Sequence, residues 1–258
     1  MLGAERSRRL RHRLAEEGSL RVSVEAKRFG VSEETIRRDI KRLAGEGLAD
    51  AVFGGAVLKA PAGAGLPPVG DRLRREDKEA IGAAAARLVE PGQVVIFDAG
   101  TTTLAVARRL TERDLTVVTN SLPVAQVCAE VAAAVTYVIG GKLVPGSLGT
   151  VGPQAERDLA GISADWAFLG AAAIEIGGGF TSADPYEAQV KRAMIGAARR
   201  TVVVADSTKF GTRRFAAFAR AEDISHLVTT ADCPPAVRPW LEDAGAALVL
   251  CEPVERDP

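Results

Sequence analysis

Between residues 5 and 43, apolar positions recur at three- and four-residue spacing in three runs, broken at Gly18–Ser19 and at Gly30. That period predicts three short helices. The third run, VSEETIRRDIKRLAGEGL, is the sharpest: Ile36, Ile40 and Leu43 fall at i, i+4 and i+7, one stripe facing a core, and Ser32 stands at the N-cap. The next stretch, GEGLADAVFGGAVL, shortens to two small strands about the turn Gly54–Gly55. Further on, VVIFD, LTVVT, TYVIGG, WAFLGA, TVVVAD, HLVTT and ALVLC are short, β-branched and apolar on both sides, with helical or turn-rich segments between them. Strands of that kind belong to a mostly parallel sheet covered by helices, an α/β domain. The Gly-, Pro- and Ala-rich segment APAGAGLPPVG reads as a linker. The expected organisation is therefore a small N-terminal module over residues 1–58, a linker over 59–71 and a larger α/β domain over 72–258.

Charge sharpens this division. The 258 residues carry 33 basic and 33 acidic side chains, for a net charge of zero. Residues 1–60 hold thirteen Lys and Arg against nine Asp and Glu, so the rest of the chain is acidic by the same margin. A basic end on an acidic body suits a nucleic-acid-facing module. A general preference for Arg over Lys also raises the Arg count, so position matters more than number. The charged start has no apolar leader core, and no window supplies the ~20 uninterrupted apolar residues of a membrane helix, so a cytoplasmic protein with no membrane partner is expected. Three cysteines without a paired spacing and only two histidines, His12 and His226, argue against a metal site, and no cofactor is expected.

On the third helix, Thr35, Arg38 and Arg42 lie opposite the apolar stripe, flanked by Arg37 and Lys41. Two short helices joined through F-G-V-S form a helix-turn-helix, whose second helix offers its N-terminal half to the major groove. Arg can bridge guanine O6 and N7, while other cations hold phosphates. Glu33–Arg37 and Glu34–Arg38 are equally i,i+4 pairs of a solvated face. The hairpin immediately after the helix favours a winged helix-turn-helix.

The strand ends of the larger domain share one chemistry. The first gives Asp98, Gly100 and Thr101, Thr102 and Thr103 at a helix start, where free N–H groups and the helix dipole favour an anion. The second ends in Thr119, Asn120 and Ser121, the third in Gly140–Gly141, and a later one in ADSTKFG with Lys209. Hydroxyls, an amide, glycines and a lysine on one rim suit a phosphorylated, hydroxyl-rich small molecule. Each also has a plainer explanation: a threonine run can simply cap a helix, Lys209 can be solvated, and Lys191 can pair with Glu187 one turn away.

VSEETIRRDIKRLAGEGL…GGA resembles the N-terminal signature of the DeoR family of bacterial transcription regulators. EDKEAIGAAAARLV, FDAGTTT, VVTNS, VIGG, EAQVKRAMI and VADSTKFG extend the likeness over nearly the whole chain. The resemblance implies that the T-I-R-R-D helix reads an operator through Thr35, Arg37 and Arg38. It also implies a C-terminal domain similar in fold to ribose-phosphate isomerase and glucosamine-phosphate deaminase, one that senses sugar phosphates. Two features depart from the family pattern. Ala51 and Phe53, with Asp50 adjacent, stand where the wing usually has a basic residue and a His, and Glu25 stands where the first helix of the motif usually has Leu.

The isomerase relatives carry catalytic acids in a D-G-A-D-E segment; here the comparable residues are Leu169, Gly170, Ala171, Ala172 and Ala173. Without a placed base, a bound sugar keeps its proton. Asp98, Asp165, Asp206 and Glu187 remain as conceivable bases, none forming a close sequence pair. The expected protein is thus a DNA-binding regulator and not an enzyme, in all expectation a repressor of sugar-metabolism genes. A homo-oligomer, dimer or tetramer, reads a palindromic operator through Ser32, Thr35, Arg37, Arg38, Lys41 and Arg42. A phosphorylated sugar binds Asp98, Gly100, Thr101, Thr102, Thr103, Asn120, Ser121, Gly141, Lys191 and Lys209. The alternative is an isomerase-like enzyme with an incidental helical N-terminus.

Overall fold

The fold was analysed as a computed structural model, which describes residues 6–251 except 8, 12, 15–18, 47, 53, 59–73, 111–113 and 131–134. The expected linker, His12 and Phe53 lie outside the described residues, as does the side chain of Ala51. Contacts divide the chain into Met1–Arg74 and Arg75–Pro258.

In the first unit the helical residues among 6–14 form α1. They are followed by β1 (Ser19–Arg21), α2 (Val22–Phe29), α3 (Glu33–Gly45), β2 (Ala49–Val52) and β3 (Gly55–Leu58). Ile36, Ile40 and Leu43 are buried against Leu10, Leu14, Leu20, Val22 and Ala26, as the spacing predicts. Each fully buried aliphatic side chain contributes about 1.5–3 kcal/mol. The α2–α3 turn needs Gly30, which sits at φ +62°, a left-handed conformation that costs other residues steric energy. The break expected at Gly18–Ser19 holds a strand. β1 pairs antiparallel with β3, so the wing is a three-stranded sheet in the order β1-β3-β2. Three residues are too few for a period to register, which is why the pattern did not show it. Two ion pairs are buried here, Arg6–Asp39 at 2.6 Å and Arg13–Glu25 at 3.0 Å. Glu25, in the place of a leucine, is therefore held by Arg13 on the neighbouring helix.

The second unit is built on seven parallel strands. β4 (Val94–Phe97), β5 (Thr116–Thr119), β6 (Val135–Val138), β9 (Ala164–Gly170), β12 (Ala198–Val204), β14 (His226–Thr230) and β15 (Ala247–Cys251) pair in the order β15-β14-β12-β9-β4-β5-β6. Successive strand residues point to opposite faces. Ile96, Val118, Leu169 and Val203 pack with α7 (Pro153–Ala160), α8 (Pro185–Ala197) and α9 (Val237–Asp243). Val95, Phe97, Val117, Phe168 and Val202 pack with α4 (Arg75–Ala86), α5 (Thr101–Arg108) and α6 (Leu122–Ala129). Helices on both faces explain why these strands read as continuous apolar runs. α4 meets α5 closely at Gly82, where an added Cβ would lie 2.7 Å from the Ala105 carbonyl oxygen.

Two smaller elements complete this unit. β7 (Lys142–Val144) and β8 (Gly149–Val151) form a hairpin, and β10 (Ala173–Glu175), β11 (Gly179–Ser182) and β13 (Ala216–Ala219) form an antiparallel sheet. Among the described residues no helix is long and apolar enough to cross a membrane.

Candidate functional site

α3 carries the candidate DNA-reading face. Ser32 caps it, its hydroxyl accepting from Thr35 N at 3.3 Å and lying 2.9 Å from Thr35 Oγ1. Arg37, Arg38, Lys41 and Arg42 are exposed, and Thr35 is half-buried. The four cations differ in their tethers. Arg37 reaches Glu33 at 2.7 Å and Glu34 at 3.6 Å, and Arg42 reaches Asp39 at 3.4 Å. The expected Glu34–Arg38 pair does not form. Among the described residues no ion pair holds Arg38 or Lys41, so these two are the most available to an incoming anion.

The second site follows from sheet topology. From β4 the order runs through β5 to β6, and from β9 it runs the other way through β12 and β14 to β15. The direction of winding therefore switches between β4 and β9, and the crevice beyond the carboxyl ends of such strands is where α/β sheets bind ligands. Asp98 follows β4 at this point. It is 3% exposed, and its Oδ2 accepts from Gly170 N, at the end of β9, at 3.1 Å. Lys191 Nζ, from α8, donates to the same Oδ2 and to the Gly170 carbonyl at 2.9 Å, and lies 5.2 Å from the centre of the Phe218 ring. The i,i+4 explanation of Lys191 is thus corrected: burial turns its ammonium inward to Asp98. Glu187 stays nearby, its carboxyl held above the ordinary range by burial and opposed by the Lys191 ammonium and the Ser147 hydroxyl.

The Gly100–Thr103 turn opens α5 beside this pair. Thr103 Oγ1 donates to the carbonyls of Asp98 at 2.7 Å and Gly100 at 2.9 Å, which fixes the turn from within. Gly100 at the N-cap has no capping side chain, so the first-turn N–H groups of α5 keep their anion-binding character. Thr102 is buried and Thr101 half-buried.

The β7–β8 hairpin roofs the neighbouring loop. Asn120 Nδ2 donates to the Thr150 carbonyl at 2.9 Å, and Thr150 N donates back to the Asn120 carbonyl at 2.8 Å. Asn120 Oδ1 is buried with no hydrogen-bond partner among the described residues. An added Cβ on Gly149 would lie 2.5 Å from Ala99 Cβ and 3.4 Å from Asn120 Nδ2, so the hairpin touches the loops after both β4 and β5. Leu148, at the hairpin tip, sits at φ +52°. A bulky residue there is strained, a feature that concentrates at ligand clamps.

Other predicted residues have structural duties. Ser121 Oγ accepts from Val124 N at 3.4 Å and caps α6. Gly141 stands at φ +136° with the Val151 carbonyl 2.6 Å from where its Cβ would be, so it roots the hairpin. Asp206 caps the turn Ser207–Lys209, and Asp165 accepts from Val94 N at 2.9 Å at the other end of the sheet. Lys209 is half-buried and lies after β12, two strands from β4, or roughly 9–10 Å at ordinary strand spacing. No contact joins it to Asp98 among the described residues. Ser147, Gly149 and Thr150 were not singled out in the sequence, and Gly170 only in the isomerase comparison, because only the pairing of distant strands brings them to the crevice. A separate cavity of about 270 Å³, lined by Gly179, Arg220, Glu222, Trp240 and Asp243, contains none of the predicted residues.

Comparison with known proteins bears on the family. Residues 6–61 match the DeoR-like helix-turn-helix domain, and residues 73–231 match the DeoR C terminal sensor domain. The HTH-type transcriptional regulator GlpR of Haloferax volcanii is 35% identical, over 96% of this chain and 98% of that protein. The putative aga operon transcriptional repressor of Escherichia coli O157:H7 is 32% identical, over 96% and 93%. Ribose 5-phosphate isomerase A of Methanocaldococcus jannaschii aligns with a TM-score of 0.40 at 18% identity, over 53% of this chain and 55% of that one.

Proposed function

This chain belongs to the DeoR family of helix-turn-helix transcription regulators, and from that premise we propose that it represses sugar-metabolism genes and releases its operator when a phosphorylated sugar enters the β4–β9 crevice. It is a DNA-binding regulator rather than an enzyme, like the relatives named above. Residues 1–58 serve as the operator-binding module, 59–71 as the linker and 72–258 as the effector domain. Arg38 and Lys41 make the principal contacts from α3, with Thr35, Arg37 and Arg42 beside them and Ser32 fixing the helix start. A homo-oligomer reads the two halves of a palindromic operator.

One observation carries the effector reading: a buried Asp98–Lys191 pair stands at the switch point beside a helix start without a capping side chain. The phosphate binds the N–H groups of Gly100 to Thr103, where fixed dipoles favour an anion. Sugar hydroxyls meet Asp98, Lys191 and the unpaired Oδ1 of Asn120. Ser121 and Gly141 hold the loop and the hairpin around the ligand, and Lys209 supplies charge at the rim.

Thermal unfolding of the full chain against aldose and ketose phosphates tests this reading, alongside operator binding in each mixture. Stabilisation by at least one phosphate, with loss of operator affinity and an unchanged ligand, is the expected result. Turnover of the sugar, or no stabilisation by any of them, overturns it.

A further inference from the structure

The cavity of about 270 Å³ opens where the start of β11 and the residues after β13 meet α9. It shares no residue with the β4–β9 crevice, so a ligand here is independent of the effector reading. Drug-sized ligands fill ~300–1,000 Å³, so this space suits a small metabolite.

Two of its walls are fixed by the fold. Gly179 stands at φ +87°, and an added Cβ there would lie 2.4 Å from the Ala219 carbonyl oxygen, so this wall is bare backbone. Trp240, on α9, forms another. Its ring packs on Phe180 with centroids 5.6 Å apart, and the same residue lines the cavity.

The charged residues of this region fall into two groups. Asp223 accepts from Arg220 N at 2.7 Å, and Arg238 pairs with Glu242 at 3.9 Å, so these side chains are engaged within the protein. Arg220, Glu222 and Asp243 line the cavity and are exposed, and among the described residues no ion pair holds any of the three. Asp243 ends α9, whose last turn has no basic residue. A helix dipole disfavours an anion at that end and favours a cation, so Asp243 and the helix terminus attract the same partner.

We propose that this cavity binds a small diamino acid of the lysine or ornithine type. Arg220 takes the carboxylate, which a guanidinium matches with two parallel hydrogen bonds. Glu222 and Asp243 take one ammonium each. Trp240 lies along the aliphatic stem and adds cation–π attraction. Charge selects the class. One guanidinium and two carboxylates leave the lining with one net negative charge, and a diamino acid brings one carboxylate and two ammonium groups. A sugar phosphate would set its own charge against the two carboxylates, so the two sites take ligands of opposite character. Single solvated ion pairs contribute little, so affinity depends on all three charges and the indole acting together.

Titration calorimetry of the full chain with lysine and with ornithine tests the proposal, with tryptophan emission followed in parallel. Trp166 is 2% exposed and lies outside the cavity, so a change in emission reports Trp240. Saturable binding of at least one diamino acid is expected, with an emission change that Trp240→Phe abolishes. Norleucine, which lacks the second amine, and cadaverine, which lacks the carboxylate, should each bind about tenfold more weakly or worse. Arg220→Ala should weaken the diamino acid about tenfold or more and leave cadaverine unchanged, whereas Asp243→Asn should weaken both. Both substitutions fall on exposed side chains, so the unfolding temperature should stay in place. The proposal is overturned if neither diamino acid binds, if norleucine binds as tightly, or if Arg220→Ala spares the diamino acid or weakens cadaverine equally.

Discussion

Lys191 donates to Asp98 across 93 residues of chain, and both side chains are almost wholly buried. The pair joins α8 to the end of β4 at the switch point, so in the proposed reading stability and ligand recognition share one contact. Removing one partner strands a charge in a dry site, a loss of about 3–5 kcal/mol. Lys191→Met and Asp98→Ala are each expected to lower stability by that order in urea unfolding. The double variant Asp98→Asn/Lys191→Met should recover most of the stability and still fail to respond to any sugar phosphate. Recovery of the response would remove the pair from the ligand site.

On α3 the two adjacent arginines are expected to behave differently. Arg37 is tethered by Glu33 and Glu34, whereas Arg38 has no ion pair among the described residues. Arg38→Ala should reduce affinity for a selected operator by about 1–3 kcal/mol and relax base preference at one position. Arg37→Ala should have the smaller effect and leave the preference intact. Fluorescence anisotropy on operators selected from a random pool checks both, and equal losses would count against the distinction.

Gly82→Ala sets propensity against packing. Inside an exposed helix the change stabilises by roughly 0.5–1 kcal/mol. In α4 the new methyl would press on the Ala105 carbonyl at 2.7 Å, backbone that cannot swing aside. Overpacking of this kind costs about 1–3 kcal/mol, so net destabilisation is expected in thermal unfolding.

Glu187 gives a pH signature. Burial raises its folded pKa above the ordinary 4.5, against the pull of Lys191. A carboxyl raised in the fold contributes fully below its unfolded value, and the contribution is lost as pH rises through the folded value. Glu187→Gln should therefore gain stability relative to the wild type as pH rises through and above the ordinary carboxyl range. Parallel denaturation curves across that window would expose the error if the difference stayed flat.

Much of this protein was legible from local pattern. Ile36, Ile40 and Leu43 declare their stripe, and HLVTT and ALVLC coincide with β14 and β15 residue for residue. The crevice was legible only as a set of strand ends. Spacing alone made Glu187 the natural partner of Lys191, because i,i+4 contacts are visible in sequence and contacts across a sheet are not. Ser121 and Thr103 read as ligand hydroxyls, yet the backbone N–H and C=O groups around them occupy those oxygens first. The β1 strand went unseen because its stability lies in β3, more than thirty residues later.

That third strand has a mechanical consequence. β1 leads directly into α2, and Val22 N, at the start of α2, donates to the carbonyl of Gly54 in the wing turn at 2.9 Å. The wing is thereby bolted to the helix-turn-helix at both its strand and its tip. Helix α3 and the wing act as the two jaws of a fixed caliper, with an opening set by protein geometry alone. If α3 and the wing both meet the operator as proposed, a duplex that meets both jaws would adjust its own groove width and curvature to that opening, and stiff and pliable sequences would be told apart even where no side chain touches a base.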